Sequence, residues 1–283
     1  MEVVRTIAEM RAYVSAAREQ GRIIGCVPTM GALHAGHMSL VEACRKRVDD
    51  TVLTIFVNPT QFSPTEDLSR YPRPLEADLE ACRRAGVNCV YLPEVASLYP
   101  PGDDTWVVVD ALSRKLEGEF RPTHFRGVTT IVTKLFNIIQ PDVACFGAKD
   151  YQQQALICRM VKDLHIPVEI VLCPTFREPD GLALSSRNVY LSAQERQTAL
   201  IIFQTLNMAE KRLQAGAAVT DVESAMWAQL QSTPDVSPQY AVIRHPETLD
   251  PVSTPVPEVI ALIAAFVGQT RLIDNLRIQY VSS

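Results

Sequence analysis

The ten residues Pro28-Thr29-Met30-Gly31-Ala32-Leu33-His34-Ala35-Gly36-His37 restrict the fold more than any other stretch of the chain. Before them, Ile23-Ile24-Gly25-Cys26-Val27 is apolar and short, as a buried strand requires, and after them Met38 to Cys44 has helical spacing. A strand that breaks at a proline and re-emerges as a helix leaves the first amide N–H groups of that helix unpaired above the strand end. That is an anion site. Two imidazoles three residues apart on the first turn can both reach one phosphate, and Gly31 and Gly36 let a nucleotide approach the backbone. By residue type alone the pair also fits two solvated histidines or two metal ligands, although the Glu of a metalloprotease helix and a nearby third ligand are both missing from the sequence.

The rest of the chain repeats the strand-then-helix rhythm. Apolar runs at 51–57, 89–92, 143–146 and 168–173 read as further core strands, and 105–109 as an accessory strand. Helical spacing covers 6–20, 74–85, 128–139 and the stretch from Asp150 to about Leu164, while the polar, irregular 116–127 reads as a mobile flap. Alternation of this kind implies an α/β fold, a doubly wound parallel sheet whose ligands gather at the carboxyl ends of the strands where the winding reverses. On that topology the loops after the 23–27 and 143–146 strands face one crevice. Beyond Pro174 the pattern changes to helices at 192–213 and 221–231 with antiparallel strands at 240–243 and 259–267, a smaller α+β domain. The expected domains are 1–175 and 176–283.

Composition narrows the function. A net charge of −5 without a basic tract argues against a nucleic-acid partner, and no apolar run is long enough for a membrane span. The seven scattered cysteines read as small buried hydrophobes in a reducing compartment. With no secretory pattern at the N-terminus, the expectation is a soluble, cytoplasmic protein.

His34-Ala35-Gly36-His37 resembles the His-x-Gly-His signature of Rossmann-like nucleotidyl transferases. The remaining long motifs are Phe-Val-Asn-Pro-Thr-Gln-Phe at 56–62, Arg-Pro-Thr-His-Phe-Arg-Gly-Val at 121–128, Phe-Gly-Ala-Lys-Asp-Tyr-Gln-Gln at 146–153 and Asp-Gly-Leu-Ala-Leu-Ser-Ser-Arg-Asn at 180–188. In this order they resemble the pantothenate synthetase (pantoate–β-alanine ligase) family over most of the chain. The resemblance implies condensation of pantoate with β-alanine using ATP, through pantoyl adenylate, with Mg2+ accompanying the nucleotide and a homodimer formed through the larger domain.

It also implies roles for residues. His34, His37, Lys149, Ser186 and Arg187 would act on the phosphates, with His37 the family's assigned proton donor, although an already ionised carboxylate nucleophile asks for charge stabilisation more than for a base. Met30, Gly31, Gly147, Asp150, Phe176, Leu184 and Ser185 would complete the nucleotide site. Gln61 and Gln153 would hold pantoate, Gln61 also β-alanine, with Arg121 and His124 as second-rank contacts to β-alanine or a phosphate, while Asn58 fits either support of the loop or contact with a phosphate. Asp78 is a weak candidate for the metal, whose ligands the sequence does not identify. One departure stands out, because Ala148 occupies the place where the family usually carries Glu beside the phosphate-binding lysine.

Overall fold

The computed structural model describes residues 1–64, 66–252 and 256–279. Its contacts divide the chain into two compact units, Met1–Ala148 with Gln152–Pro174, and Lys149–Tyr151 with the chain from Thr175 onward.

The first unit is built on strands β1 (Glu2–Val4), β2 (Ile24–Thr29), β3 (Asp50–Ile55), β4 (Cys89–Tyr91), β5 (Val143–Gly147) and β6 (Glu169–Cys173). They form one parallel sheet in the order β1-β4-β3-β2-β5-β6. Side chains alternate across a strand, so neighbouring residues feed opposite cores. Cys26 and Val52 join the core formed with α1 (Ile7–Glu19) and α7 (His124–Ile139), whereas Val27 and Leu53 join that formed with α2 (Ala35–Arg45) and α3 (Leu75–Ala85). A sheet covered on both faces needs strands apolar on both faces, which is why these runs are continuous rather than alternating. Helix ends follow local chemistry. Thr6 and Glu9 close a capping box on α1, and Gly86 ends α3 at φ +73°.

From β2 the chain winds outward through β3 to β4, then returns to β5 on the other flank of β2, where Gly25 pairs with Val143 and Cys26 with Ala144. The winding therefore reverses between β2 and β5. β2 runs on through Pro28 to Thr29, beyond the break expected at the proline, while its ladder to β5 stops at Cys26.

Two expectations fail in informative ways. Residues 105–109 form no strand, because hydroxyls of α7 take the place of a partner strand: Val107 N–H donates to Thr130 Oγ1 at 3.0 Å and its carbonyl accepts from Thr129 Oγ1 at 2.6 Å. The 116–127 stretch is packed rather than loose. It contains the end of a series of one-turn helices, α4 (Val95–Leu98), α5 (Asp110–Ser113) and α6 (Glu117–Phe120), and the start of α7. Gln152, on the first turn of α8 (Tyr151–Asp163), ties it down by accepting from Glu117 N–H at 3.1 Å and donating to the carbonyls of Leu112 at 2.8 Å and Lys115 at 2.6 Å.

In the second unit α9 (Ala193–Gln214) and α10 (Val219–Gln231) pack on an antiparallel sheet, β7 (Val236–Arg244), β8 (Glu258–Val267) and β9 (Thr270–Gln279), in that order. Ser192 and Glu195 cap α9 reciprocally. β9 is absent from the sequence reading, since Arg271, Asp274, Asn275 and Arg277 hide its apolar alternation. Among the described residues no helix is long and apolar enough to cross a membrane. All seven cysteines are unpaired thiols.

The approach of α7 to the 3-10 turn Pro59–Gln61 depends on a missing side chain, because a Cβ on Gly127 would lie 2.5 Å from the Thr60 carbonyl oxygen and 2.7 Å from the Gln61 Cα. Gly127→Ala should therefore destabilise the protein by about 1–3 kcal/mol in urea unfolding, the clash outweighing the ~1 kcal/mol that alanine gains over glycine inside a helix. A midpoint at or above that of the wild type would show that the turn yields freely.

Candidate active site

The loop from β2 to α2 is held in a shape that few residues adopt. Gly31 sits at φ +82° and Ala32 at φ +51°. A buried carboxylate secures it, with Asp78 Oδ2 accepting from Ala32 N–H at 2.8 Å and Oδ1 from Leu33 N–H at 2.7 Å. Gly31 also answers to Asp78, since a Cβ there would lie 3.0 Å from Oδ2. Burial pushes the Asp78 carboxyl above the usual range, while its two backbone bonds pull the other way. Asp78, the weak candidate for the metal, thus has both of its oxygens bonded to the loop. No group of three or more His, Cys, Asp or Glu among the described residues could hold a metal ion.

Past this loop, α2 is capped by its own histidines. His34 is the N-cap, in extended conformation at φ −137°, and its Nδ1 accepts from Gly36 N–H at 3.1 Å. In return His34 N–H donates to His37 Nδ1 at 3.3 Å. The arrangement copies a Ser-x-x-Glu capping box with ring nitrogens in place of oxygens. A nitrogen that accepts a hydrogen bond carries no proton, so each ring is neutral with its proton on Nε2. The ring centroids are 4.1 Å apart, which makes the pair two adjacent N–H donors of fixed tautomer. The Gly36 amide that an uncapped helix would offer to an anion is already taken.

Behind the loop lies Gln61, buried at the end of the 3-10 turn that follows β3. Its amide nitrogen is 3.0 Å from Met30 Sδ and its amide oxygen accepts from Asn58 Nδ2 at 3.2 Å. Asn58 is itself buried and also donates to the Gly127 carbonyl at 3.1 Å, while its oxygen receives the Thr60 N–H at 3.3 Å. The Gln61 carbonyl lies 2.9 Å from His124 Nδ1, which must donate. Arg121 bonds Glu66 at 2.6 Å and has Glu117 at 3.9 Å. Asn58 and His124 thus bond Gln61, Arg121 bonds Glu66, and Gln153 is half-buried on the first turn of α8.

The second unit gathers the remaining set. Lys149 Nζ lies 3.6 Å from Asp150 Oδ1, an anion close enough to tolerate a cation near a helix start. Leu184 N–H donates to the Phe176 carbonyl at 3.0 Å across a turn bridged at Arg177 and Ala183. Ser185 then caps the 3-10 turn Ser186–Tyr190 by accepting from Arg187 N–H at 3.3 Å. Lys149, Ser185, Asn188 and Asp274 line a small pocket. Asn188 Oδ1 is buried there with no hydrogen-bond partner among the described residues. In the first unit Gly147 closes β5, and the next amide, of Ala148, donates to the Cys173 carbonyl at 2.8 Å.

Burial, reinforced by the Arg121 charge, pushes the His124 imidazole down to about 4 from the ordinary 6.5. Between those values the unfolded chain binds a proton at His124 that the folded chain refuses, so stability falls as pH falls through the window, by up to about 3 kcal/mol. His124→Asn lacks the titrating ring and should lose correspondingly less stability between about pH 7 and about pH 4.5 in urea unfolding. Equal losses in the two proteins would contradict this.

The model of the family described as pantoate-beta-alanine ligase matches residues 2–277. The pantothenate synthetase of Moorella thermoacetica is 50% identical over 279 residues, 98% of this chain and 98% of the other. That of Acetivibrio thermocellus is 47% identical over 280 residues, 99% of this chain and 100% of the other. The crystal structure of pantothenate synthetase from Thermus thermophilus superposes with a TM-score of 0.93 at 44% identity, covering 98% of this chain and 99% of that one. The pantoate-beta-alanine ligase of Francisella tularensis, complexed with beta-gamma ATP and beta-alanine, superposes at 0.81 with 32% identity, covering 98% and 97%. A family match of this extent, on a parallel sheet with a histidine-capped helix at its reversal point, leaves one conclusion: the chain belongs to the pantoate–β-alanine ligase family.

Proposed function

We propose that the chain condenses (R)-pantoate with β-alanine at the expense of ATP, and that the histidine cap of α2 stabilises charge in the first step. The pantoate carboxylate attacks the α-phosphorus, giving pantoyl adenylate and releasing pyrophosphate. The β-alanine amine then attacks the acyl carbon, and AMP leaves as the amide forms. Negative charge gathers on phosphoryl oxygens and on the departing pyrophosphate, so fixed donors contribute more than a base does. The observation that carries this reading is the reciprocal cap, which sets two Nε2–H donors side by side. His37 in this tautomer stabilises by hydrogen bonding rather than by giving up a proton.

Lys149, Ser186 and Arg187 supply the remaining donors in this reading, with Met30, Gly31, Gly147, Asp150, Phe176, Leu184 and Ser185 around the nucleotide. Gln61 and Gln153 hold pantoate, and Gln61 then serves β-alanine. Asn58 and His124 act through Gln61, a role supported by the bonds from Asn58 to its side chain and from His124 to its carbonyl, and Arg121 is a further contact to β-alanine or a phosphate. Residues 1–175 take ATP and pantoate, and 176–283 serve as the lid that keeps water from the acyl adenylate. Mg2+ enters with the nucleotide, held chiefly by phosphate oxygens and water, a reading supported by the lack of any group of three or more His, Cys, Asp or Glu among the described residues that could hold a metal ion. A homodimer through the larger unit is supported by the exposed Trp106, Val108 and Phe120. A cytoplasmic setting is supported by seven free thiols.

Incubation with ATP, pantoate and β-alanine, omitting each in turn, tests the reaction. Pyrophosphate release should require ATP and pantoate, and AMP release should require β-alanine as well. AMP appearing at full rate without the amine would refute amide formation. His37→Ala should slow pantoyl adenylate formation by about 10³-fold with the circular dichroism spectrum retained, and near wild-type rates would remove His37 from the mechanism.

A further inference from the structure

We propose that Asn275 is a positioning residue for Lys149, an inference that rests on the reading of Lys149 as a phosphate donor. Asn275 lies on β9 and is 5% exposed, and its Nδ2 donates to the main-chain carbonyl of Lys149 at 2.7 Å. The asparagine is itself fixed. Its N–H donates to Asp274 Oδ1 at 2.8 Å, and its carbonyl accepts from Arg177 Nη2 at 3.2 Å. Arg177 grips Asp274 with both terminal nitrogens, at 2.6 and 2.9 Å, donates to the Gly181 carbonyl at 3.1 Å and lies 4.1 Å from the centroid of the Phe203 ring.

This buried network joins three stretches far apart in sequence: the residue 149 loop, the turn at 177–183 that leads into Ser185-Ser186-Arg187, and the last strand. Tyr151 holds the same loop from the other side, its hydroxyl donating to the Pro246 carbonyl at 3.0 Å. The loop accordingly packs as part of the second unit, although sequence order puts it directly after β5. An ammonium on a flexible four-carbon stem reaches a reacting phosphate reproducibly only if its main chain is anchored, and a displacement of about 1 Å at such a contact can cost about 10²-fold in rate. Asn275 supplies that anchor and, through Arg177 and Asp274, fixes Lys149 relative to Ser186 and Arg187.

The test is a double-mutant cycle on single-turnover formation of pantoyl adenylate with ATP and pantoate. Asn275→Leu should lower the rate about 10- to 100-fold and raise the KM for ATP while leaving that for pantoate unchanged, and it should cost nothing further in the Lys149→Ala background. Equal losses in both backgrounds, or a wild-type rate for Asn275→Leu, would overturn the proposal. Asn275→Asp, equal in size but with an oxygen in place of the donor, gives the same reading if the leucine variant does not fold. A wild-type rate for Lys149→Ala alone would instead sink the phosphate reading, and this inference with it.

Discussion

Two backbone amides at the start of α2 are bonded to imidazole nitrogens, and much of the site's chemistry follows from that one fact. A helix start is electropositive and donor-rich, and a ligand can use its amides directly. Here His34 and His37 accept those bonds at Nδ1, which leaves Nε2 as the protonated nitrogen of each ring. Such donors reach further than an amide. Each ring is orientated by the bond it accepts, which spares the reorganisation that freely rotating side chains would undergo as charge develops.

The support around the cap is polar where an ordinary core would be apolar. Asp78 gives both oxygens to the β2–α2 loop, Asn58 and His124 hold Gln61, and Arg121 sits between Glu66 and Glu117. Each of these groups is buried or nearly so, and each has partners, as burial of a polar group demands. In the second unit the Arg177–Asp274–Asn275 network has the same character, reaching from β9 to the Lys149 carbonyl.

Long apolar runs made the central strands readable in the sequence, and with them the reversal of winding beside β2, because a strand buried on both faces is mostly apolar, as in β2 and β5. The histidine pair, Lys149 and the Ser185-Ser186-Arg187 turn were readable from motif. What escaped were features whose meaning lies in direction rather than residue type. Val107 to Val109 has a strand's composition, yet threonine hydroxyls of α7 take its ladder bonds. β9 carries six polar or charged residues, two of which join the Arg177 network. Asn58 and His124 are substrate-like residue types, and their bonds to Gln61 leave no mark in the sequence. Asp78 holds the β2–α2 loop, and no spacing rule in its helix would have shown it.

The account turns on the protonation of two rings. Long-range 1H–15N correlation of histidine-labelled protein, with a non-hydrolysable ATP analogue bound, reads it directly. It should give neutral His34 and His37 with unprotonated Nδ1 and protonated Nε2. A proton on Nδ1 of either ring, as the other tautomer or as imidazolium, would contradict the capped arrangement.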